Sequence, residues 1–266
     1  MLTNTFVHAP GVGHSTEKHI WASGVRDWQE FLARPTQAGL SSRQTGTLEE
    51  HLLVSLERLT QLDHRFFRHF LAPADHWRIW PEFARKTAYL DIETTGLAGR
   101  DTVTVIGLHD GTTMRWFVKG RERRVTDEGN GNVLPLSEFE KAIEPYGVLV
   151  TFFGSAFDLP FLRRDFGDLK EGRIHLDLCF LLRRLGFSGG LKRIEQMLGL
   201  ARSRETAGLD GWDAVRLWQE YTRGSREALE LLLRYNQEDV ENLQPLLSFA
   251  CRGLRRRSGL DGFTFS

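Results

Sequence analysis

The segment Asp91-Ile92-Glu93-Thr94-Thr95-Gly96 sets two carboxylates two residues apart in an otherwise apolar run that begins at Tyr89. Side chains two apart on a strand share a face, so Asp91 and Glu93 stand side by side. Adjacent carboxylates repel one another, and a divalent cation between them turns that repulsion into a binding site. Gly96 then permits a sharp turn or a close approach to a ligand. The competing reading is an acidic strand end that faces solvent. A second acid, Asp158, follows the apolar run Val148 to Phe153 and opens the helical stretch Leu159 to Leu162. A carboxylate there is also ordinary helix-capping chemistry. A third, Asp239, lies one helical turn after Tyr235, beside the stripe Leu232, Val240, Leu243, Leu246 and Leu247. An unpaired carboxylate next to such a stripe is costly unless a cation or hydrogen bonds satisfy it, and the plain alternative is an arginine partner such as Arg234.

These acids need a sheet and a helix to bring them together. Thr87 to Ile92 and Thr102 to Leu108 read as strands, and Asp110-Gly111 is a hairpin signal leading to a third strand, Met114 to Val118. Gly120 to Leu134 is charged and glycine-containing and reads as an exposed loop. Leu136 to Tyr146 reads as a helix and Val148 to Phe153 as a buried strand. Helices are expected at Leu191 to Leu198, Trp212 to Tyr221 and Ser225 to Phe249, with Pro245 kinking or ending the last one early. Upstream, Leu48 to Leu71 carries apolar residues at helical spacing, and residues 1 to about 85 contain no strand pattern. Three hairpin-connected strands followed by helix and strand are what an RNase H-like sheet needs, so the expected class is α/β.

Composition narrows the function classes. Lys+Arg and Asp+Glu each number 35 in 266 residues, which argues against a histone-like polycation. Phosphate contacts would have to come from local clusters such as Arg163-Arg164, Arg183-Arg184, Lys192-Arg193, Arg121 to Arg124 and Arg255 to Arg257. Two cysteines, Cys179 and Cys251, exclude a disulfide scaffold and a cysteine-rich zinc module. With no long apolar run and no secretory leader pattern, a cytoplasmic protein without a membrane partner is expected. P-loop, Rossmann, His-Glu-x-x-His and Gly-x-Ser-x-Gly patterns do not occur.

In order and context, Leu90-Asp91-Ile92-Glu93-Thr94-Thr95-Gly96-Leu97, Val150 to Leu162, His175-Leu176-Asp177-Leu178 and Tyr235-Asn236-Gln237-Glu238-Asp239-Val240 resemble the tyrosine-bearing branch of the DEDD 3′–5′ exonuclease superfamily. More narrowly, the sequence looks like the YprB-type, RNase H-like predicted exonucleases of bacteria, over roughly Ala88 to Leu247. The resemblance implies an RNase H-like mixed sheet flanked by helices and a pair of Mg²⁺ or Mn²⁺ ions about 4 Å apart for phosphodiester hydrolysis. It implies that Asp91 bridges the ions, that Glu93 and Asp239 complete one site, and that Asp158 holds the second through water. Tyr235 would orient or deprotonate the attacking water. The backbone around Thr94, Thr95, Gly96 and Leu97 would grip the terminal nucleotide of a DNA or RNA 3′ end. Asp177 reads as a helix-start residue. Phe153 stands where many relatives carry Asn, a departure that puts full activity in question. A non-catalytic nucleic-acid-binding module and an RNase H-type endonuclease are the competing functions.

Near the N-terminus, Gly11-Val12-Gly13 feeds a helical stretch, Ser15 to Ala22, and resembles a helix-hairpin-helix module. Its glycines would free backbone N–H groups for phosphate, although its first helix would have to be very short. A packing hairpin is the equal alternative. The expected organisation is thus a nucleic-acid-binding segment over 1–46, a helical connector over 47–86, the exonuclease domain over 87–250 and a basic tail over 251–266.

Overall fold

The computed structural model describes residues 1–96, 100–121, 125–126 and 131–259. Leu97, the arginines after Arg121 in the first basic cluster, and the end of the basic tail lie outside them. The chain divides into two compact units: one comprises Arg85–Glu171 and His175–Ala250, the other Met1–Ala84, Gly172–Ile174 and the segment starting at Cys251.

In the larger unit the strands are β1 (Thr87–Thr94), β2 (Val103–His109), β3 (Met114–Val118), β4 (Val125–Thr126), β5 (Gly131–Pro135), β6 (Val148–Thr151) and β7 (Ile174–Asp177). They form one sheet in the order β4-β5-β3-β2-β1-β6-β7. β1 runs antiparallel to β2 and parallel to β6, and β3 runs parallel to β5, so the sheet is mixed. Alternation on β1 sorts its side chains. Ala88, Leu90 and Ile92 enter the apolar core with Leu149, Phe139 of α5 (Phe139–Ile143) and Leu162 of α6 (Asp158–Phe166). Asp91 and Glu93 take the other face, which is covered by α10 (Arg226–Glu241). Helices on both faces of a mixed sheet make this an α/β fold of the expected RNase H-like kind.

Several local expectations are corrected. The charged stretch after Gly120 is not all loop: β5 pairs with β3 and carries β4 at the sheet edge. The strand from Val148 stops at Thr151, because Phe153 adopts a left-handed φ of 61° that no strand accommodates. Four residues of β7 form where no strand was expected. The stretch Leu136 to Tyr146 yields a 3₁₀ turn and only the five-residue α5. The long N-terminal helical pattern divides into α3 (Ser42–Thr60) and α4 (His64–Phe70), with Leu62 at φ 51° between them. The last helical pattern breaks at Asn242 into α10 and α11 (Leu243–Ser258). Pro245 lacks an N–H and its ring collides with the carbonyl of residue 241 in a continuous helix, so the break falls one turn before it.

The smaller unit contains α1 (His14–Ala22), α2 (Trp28–Ala33), α3 and α4, with no strand within Met1–Ala84. Its organising group is Glu17, 1% exposed, whose Oε1 accepts the Phe6 and Val7 N–H groups at 2.7 and 3.2 Å. Arg78, equally buried, donates to both Glu17 oxygens at 3.1 and 3.0 Å and to Asp75 Oδ1 at 2.9 Å. Gly11 sits at φ +77°, Gly13 caps α1, and both are exposed. The helix that precedes this turn is a single 3₁₀ turn, Leu2–Asn4. No helix among the described residues is long and apolar enough to cross a membrane.

One sheet position controls how closely α10 lies on the sheet. Gly107 is the β2 residue opposite Asp91, and a Cβ there would meet Asn236 Oδ1 at 2.0 Å and Val240 Cγ2 at 2.8 Å. A strand glycine marks such a close approach. Gly107→Ala is expected to cost about 1–3 kcal/mol by overpacking, measured by urea unfolding.

Candidate active site

β1 presents Asp91 and Glu93 on the face toward α10, and α10 returns Asp239 to them. Each offers a carboxylate oxygen, and the three oxygens lie within 4.8 Å of one another. Asn236, one turn before Asp239, donates from Nδ2 to Asp91 Oδ2 at 3.0 Å and to Glu93 Oε1 at 3.4 Å. The β1–β2 ladder slips between Glu93 and Thr94, with Thr104 as the extra residue on β2. A bulge at this point twists the end of β1 and re-aims its side chains beside the acids. Asp158 opens α6 and is buried, but it stands outside the three-oxygen group.

The acids are held far from their ordinary ionisation. Burial pushes Asp91 well above the usual carboxylate range, helped by the charges of Asp239, Asp158 and Glu93 and opposed by Arg202. Burial and Asp239 do the same to Glu93, against the Asn236 hydrogen bond. Burial raises Asp158 to about 7, against hydrogen bonds from the backbone at Asp158 and Ile92. Asp239 is raised by burial, while Arg202 pulls it back.

Arg202 is the cation the sequence reading missed; the expected partner Arg234 pairs instead with Glu205. Arg202 donates from Nε and Nη2 to Glu195 at 2.6 and 2.8 Å, and Nη2 also reaches Asp239 Oδ1. Glu195 lies on α8 (Leu191–Leu198) and is held in turn by Asn242 Nδ2 at 2.9 Å. Burial opposes the Arg202 charge, but the Glu195 hydrogen bonds and the Asp239 charge outweigh it and hold the guanidinium above its ordinary range. Glu238, next to Asp239, accepts the Ser203 N–H at 3.1 Å and the Thr206 hydroxyl, which anchors the segment carrying Arg202. No local spacing signals these contacts, since Arg202 and Asp239 are 37 residues apart.

Tyr235 is buried, with the Lys192 ammonium 4.5 Å from its ring centroid. Burial first, then the charges of Asp239, Glu93 and Asp91, push its hydroxyl above the ordinary tyrosine range, so it stays protonated. Asp91, Asp239, Tyr235, Lys192 and Phe152 line a cleft of about 270 Å³ with Gly190, Leu191 and Arg193. At the end of β1, Thr95 N–H bonds Thr102 O at 3.0 Å and its hydroxyl bonds Asp101 Oδ1 at 2.9 Å. Thr94 Oγ1 donates to Gly96 O at 2.6 Å, and a Cβ on Gly96 would meet Asp101 Oδ2 at 2.6 Å. The Asp101 carboxylate thus packs against the bare backbone of Gly96, and a side chain there would displace it. Asp177 caps α7 (Leu178–Arg183) through the Cys179 N–H and also accepts the Phe153 and Ser155 N–H groups, at 2.8 and 3.0 Å.

The donor set fits a hard divalent cation: oxygen ligands, clustered, mutually repelling, and short of positive charge. The Asn236 amide and Arg202 are the only groups seen to bridge or neutralise these three acids by direct hydrogen bonds among the described residues.

A family model described as the RNase_H superfamily matches residues 88–250, more than half of the chain. The chain belongs to that superfamily. Solved structures similar to it include the family B DNA polymerase from the hyperthermophilic archaeon Pyrobaculum calidifontis, at 19% identity and a TM-score of 0.43. That match covers 64% of this chain and only 24% of the polymerase chain. No curated protein matches the sequence.

Two outcomes follow from the charges. A carboxylate whose folded pKa is raised binds more protons folded than unfolded, so its stabilising contribution is present below about pH 4 and is lost as pH rises through the folded value. Metal-free protein should therefore lose stability from pH 5 to 8, and Asp158→Asn should recover on the order of 2–4 kcal/mol at pH 8, read from thermal melts across pH. Arg202→Met leaves Glu195 buried without its cation. It should destabilise by about 3–5 kcal/mol in urea unfolding.

Proposed function

We propose that the protein is a metal-dependent 3′–5′ exonuclease of DNA or RNA, of the tyrosine-bearing DEDD type and close to the YprB-type group. The observation that carries this reading is the trio Asp91, Glu93 and Asp239, two of which, Asp91 and Asp239, line one cleft with Tyr235 and Lys192. Superfamily membership supports a nuclease. Asp91, Glu93 and Asp239 would hold one Mg²⁺ or Mn²⁺, and Asp158 with Asp91 a second. When bound, such ions stabilise the charge on the attacking and leaving oxygens of phosphodiester hydrolysis.

The chain's own groups do the rest. Tyr235, kept protonated by its burial and then by its acidic neighbours, acts as a hydrogen-bond donor that orients the attacking water rather than as its base. Lys192 faces the same cleft and neutralises phosphate charge. Arg202, itself held by Glu195, fixes the rotamer of Asp239. Thr94, Thr95, Gly96 and Leu97 are assigned the terminal nucleotide, with Thr95 acting through the turn it ties down. The exposed Gly11–Gly13 turn is assigned a sequence-independent, helix-hairpin-helix-like phosphate contact, for which two substitutions by bulky residues should weaken binding of long strands and lower its salt dependence.

The test uses DNA and RNA oligonucleotides labelled at either end, with Mn²⁺ or EDTA. Stepwise shortening from the 3′ end in Mn²⁺ is expected, with none in EDTA or in Asp91→Ala. Internal cuts would instead assign an RNase H-type endonuclease, and binding without cleavage a non-catalytic module. Tyr235→Phe should lower kcat by at least about tenfold with little change in KM. Mn²⁺ at about 100 times its Kd should stabilise the protein by about 2.7 kcal/mol and leave Asp91→Asn nearly unshifted in thermal melts.

A further inference from the structure

Phe153 occupies a conformation that its own side chain disfavours. It and Leu62 are the non-glycine residues with positive φ among those described. Leu62 turns the chain between two helices, whereas Phe153 sits on the loop between β6 and α6 and is 46% exposed. A bulky residue at φ 61° is strained, and a ring left in water gains little apolar burial to offset the strain.

The surrounding structure imposes this placement. Asp177 accepts the Phe153 N–H at 2.8 Å and the Ser155 N–H at 3.0 Å, one to each carboxylate oxygen. The Phe153 carbonyl accepts the N–H groups of Ala156 and Phe157 at 3.1 and 3.3 Å. The backbone that carries this exposed side chain is therefore clamped. Its neighbour Phe152 lines the cleft with Asp91, Tyr235 and Asp239, and five residues later the same loop delivers Asp158. The other exposed aromatics among the described residues lack this combination: Phe180 lies against the Arg183 guanidinium at 5.6 Å, and Trp212 sits on ordinary helical backbone in α9 (Gly211–Thr222).

We infer that Phe153 is a stacking platform for a nucleobase of a single-stranded substrate, next to the phosphate held in the cleft. This rests on the nuclease reading and deepens it by naming the substrate class. An aromatic face accepts any base, and only unpaired strands offer a base face to it, so the contact selects single strands without selecting sequence. Strain from the clamped backbone would be tolerated because it keeps the ring in position before the base arrives.

The experiment compares two fluorescent single-stranded DNA oligonucleotides, identical except that the last two nucleotides at the 3′ end of one are abasic. Binding to the full chain is followed by anisotropy in Ca²⁺. Wild type is expected to bind the base-bearing strand about 5- to 150-fold more tightly, the range of one stacked base. Phe153→Ala and Phe153→Asn should reduce that preference to within about twofold, and Phe153→Trp should keep it. Asn tolerates the left-handed conformation, so Phe153→Asn should melt higher than wild type, which separates loss of stacking from loss of fold. Equal binding of both strands by wild type, or a preference that survives Phe153→Ala, overturns the stacking role. If 3′-end hydrolysis in Mn²⁺ persists in that case, the nuclease reading stands alone; if neither strand binds and neither is cut, both fall.

Discussion

The active-site half of the larger unit depends on keeping several carboxylates together where water screens them only from the cleft. Asp91 and Glu93 are neighbours by strand periodicity, and α10 adds Asp239 to the same few ångströms. In a low-dielectric setting this arrangement destabilises the fold unless protons, amides or cations compensate. The protein supplies two of these itself. Asn236 lays an amide donor across Asp91 and Glu93, and Arg202 shares its guanidinium between Glu195 and Asp239. The supporting contacts of Asn242 and Glu238 then read as a scaffold for that one guanidinium.

The smaller unit meets a similar difficulty differently. Glu17 and Arg78 are both sequestered, but the pair is closed: two backbone N–H groups and the guanidinium occupy the Glu17 carboxylate, and Asp75 takes another Arg78 nitrogen. A closed pair of this kind is a structural tie. The Asp91 cluster is open on one side, toward a cleft, and that openness distinguishes a site from a strut.

Much of the larger unit could be read in the sequence because its acids obey local periodicities. Spacing two on β1 and four on α10 is visible without a structure, as is the hairpin at Asp110-Gly111. The edge strand β4 and its neighbour β5 were hidden in charged, glycine-containing chain, and β7 is too short to show alternation. Arg202 and Glu195 could not be found because their relation to Asp239 exists only across the fold. Gly107 offered a usable sign, a glycine inside an apolar strand, yet its meaning needed the helix that lies on it. Phe153 was noticed as a departure from a family pattern, but its left-handed backbone is a tertiary fact, set by Asp177 from 24 residues away.

Under the metal-dependent reading, Gly107 bears on which ion the carboxylates would hold. It holds no ligand, yet its missing side chain sets how near α10 comes to the sheet, and so how far Asp239 stands from Asp91 and Glu93. Hard cations differ chiefly in radius, with Mg²⁺ demanding shorter and more regular oxygen distances than Ca²⁺. The bore of the carboxylate ring is therefore gauged from a strand outside it, and even a single added methyl on β2 would favour a larger ion over a smaller one.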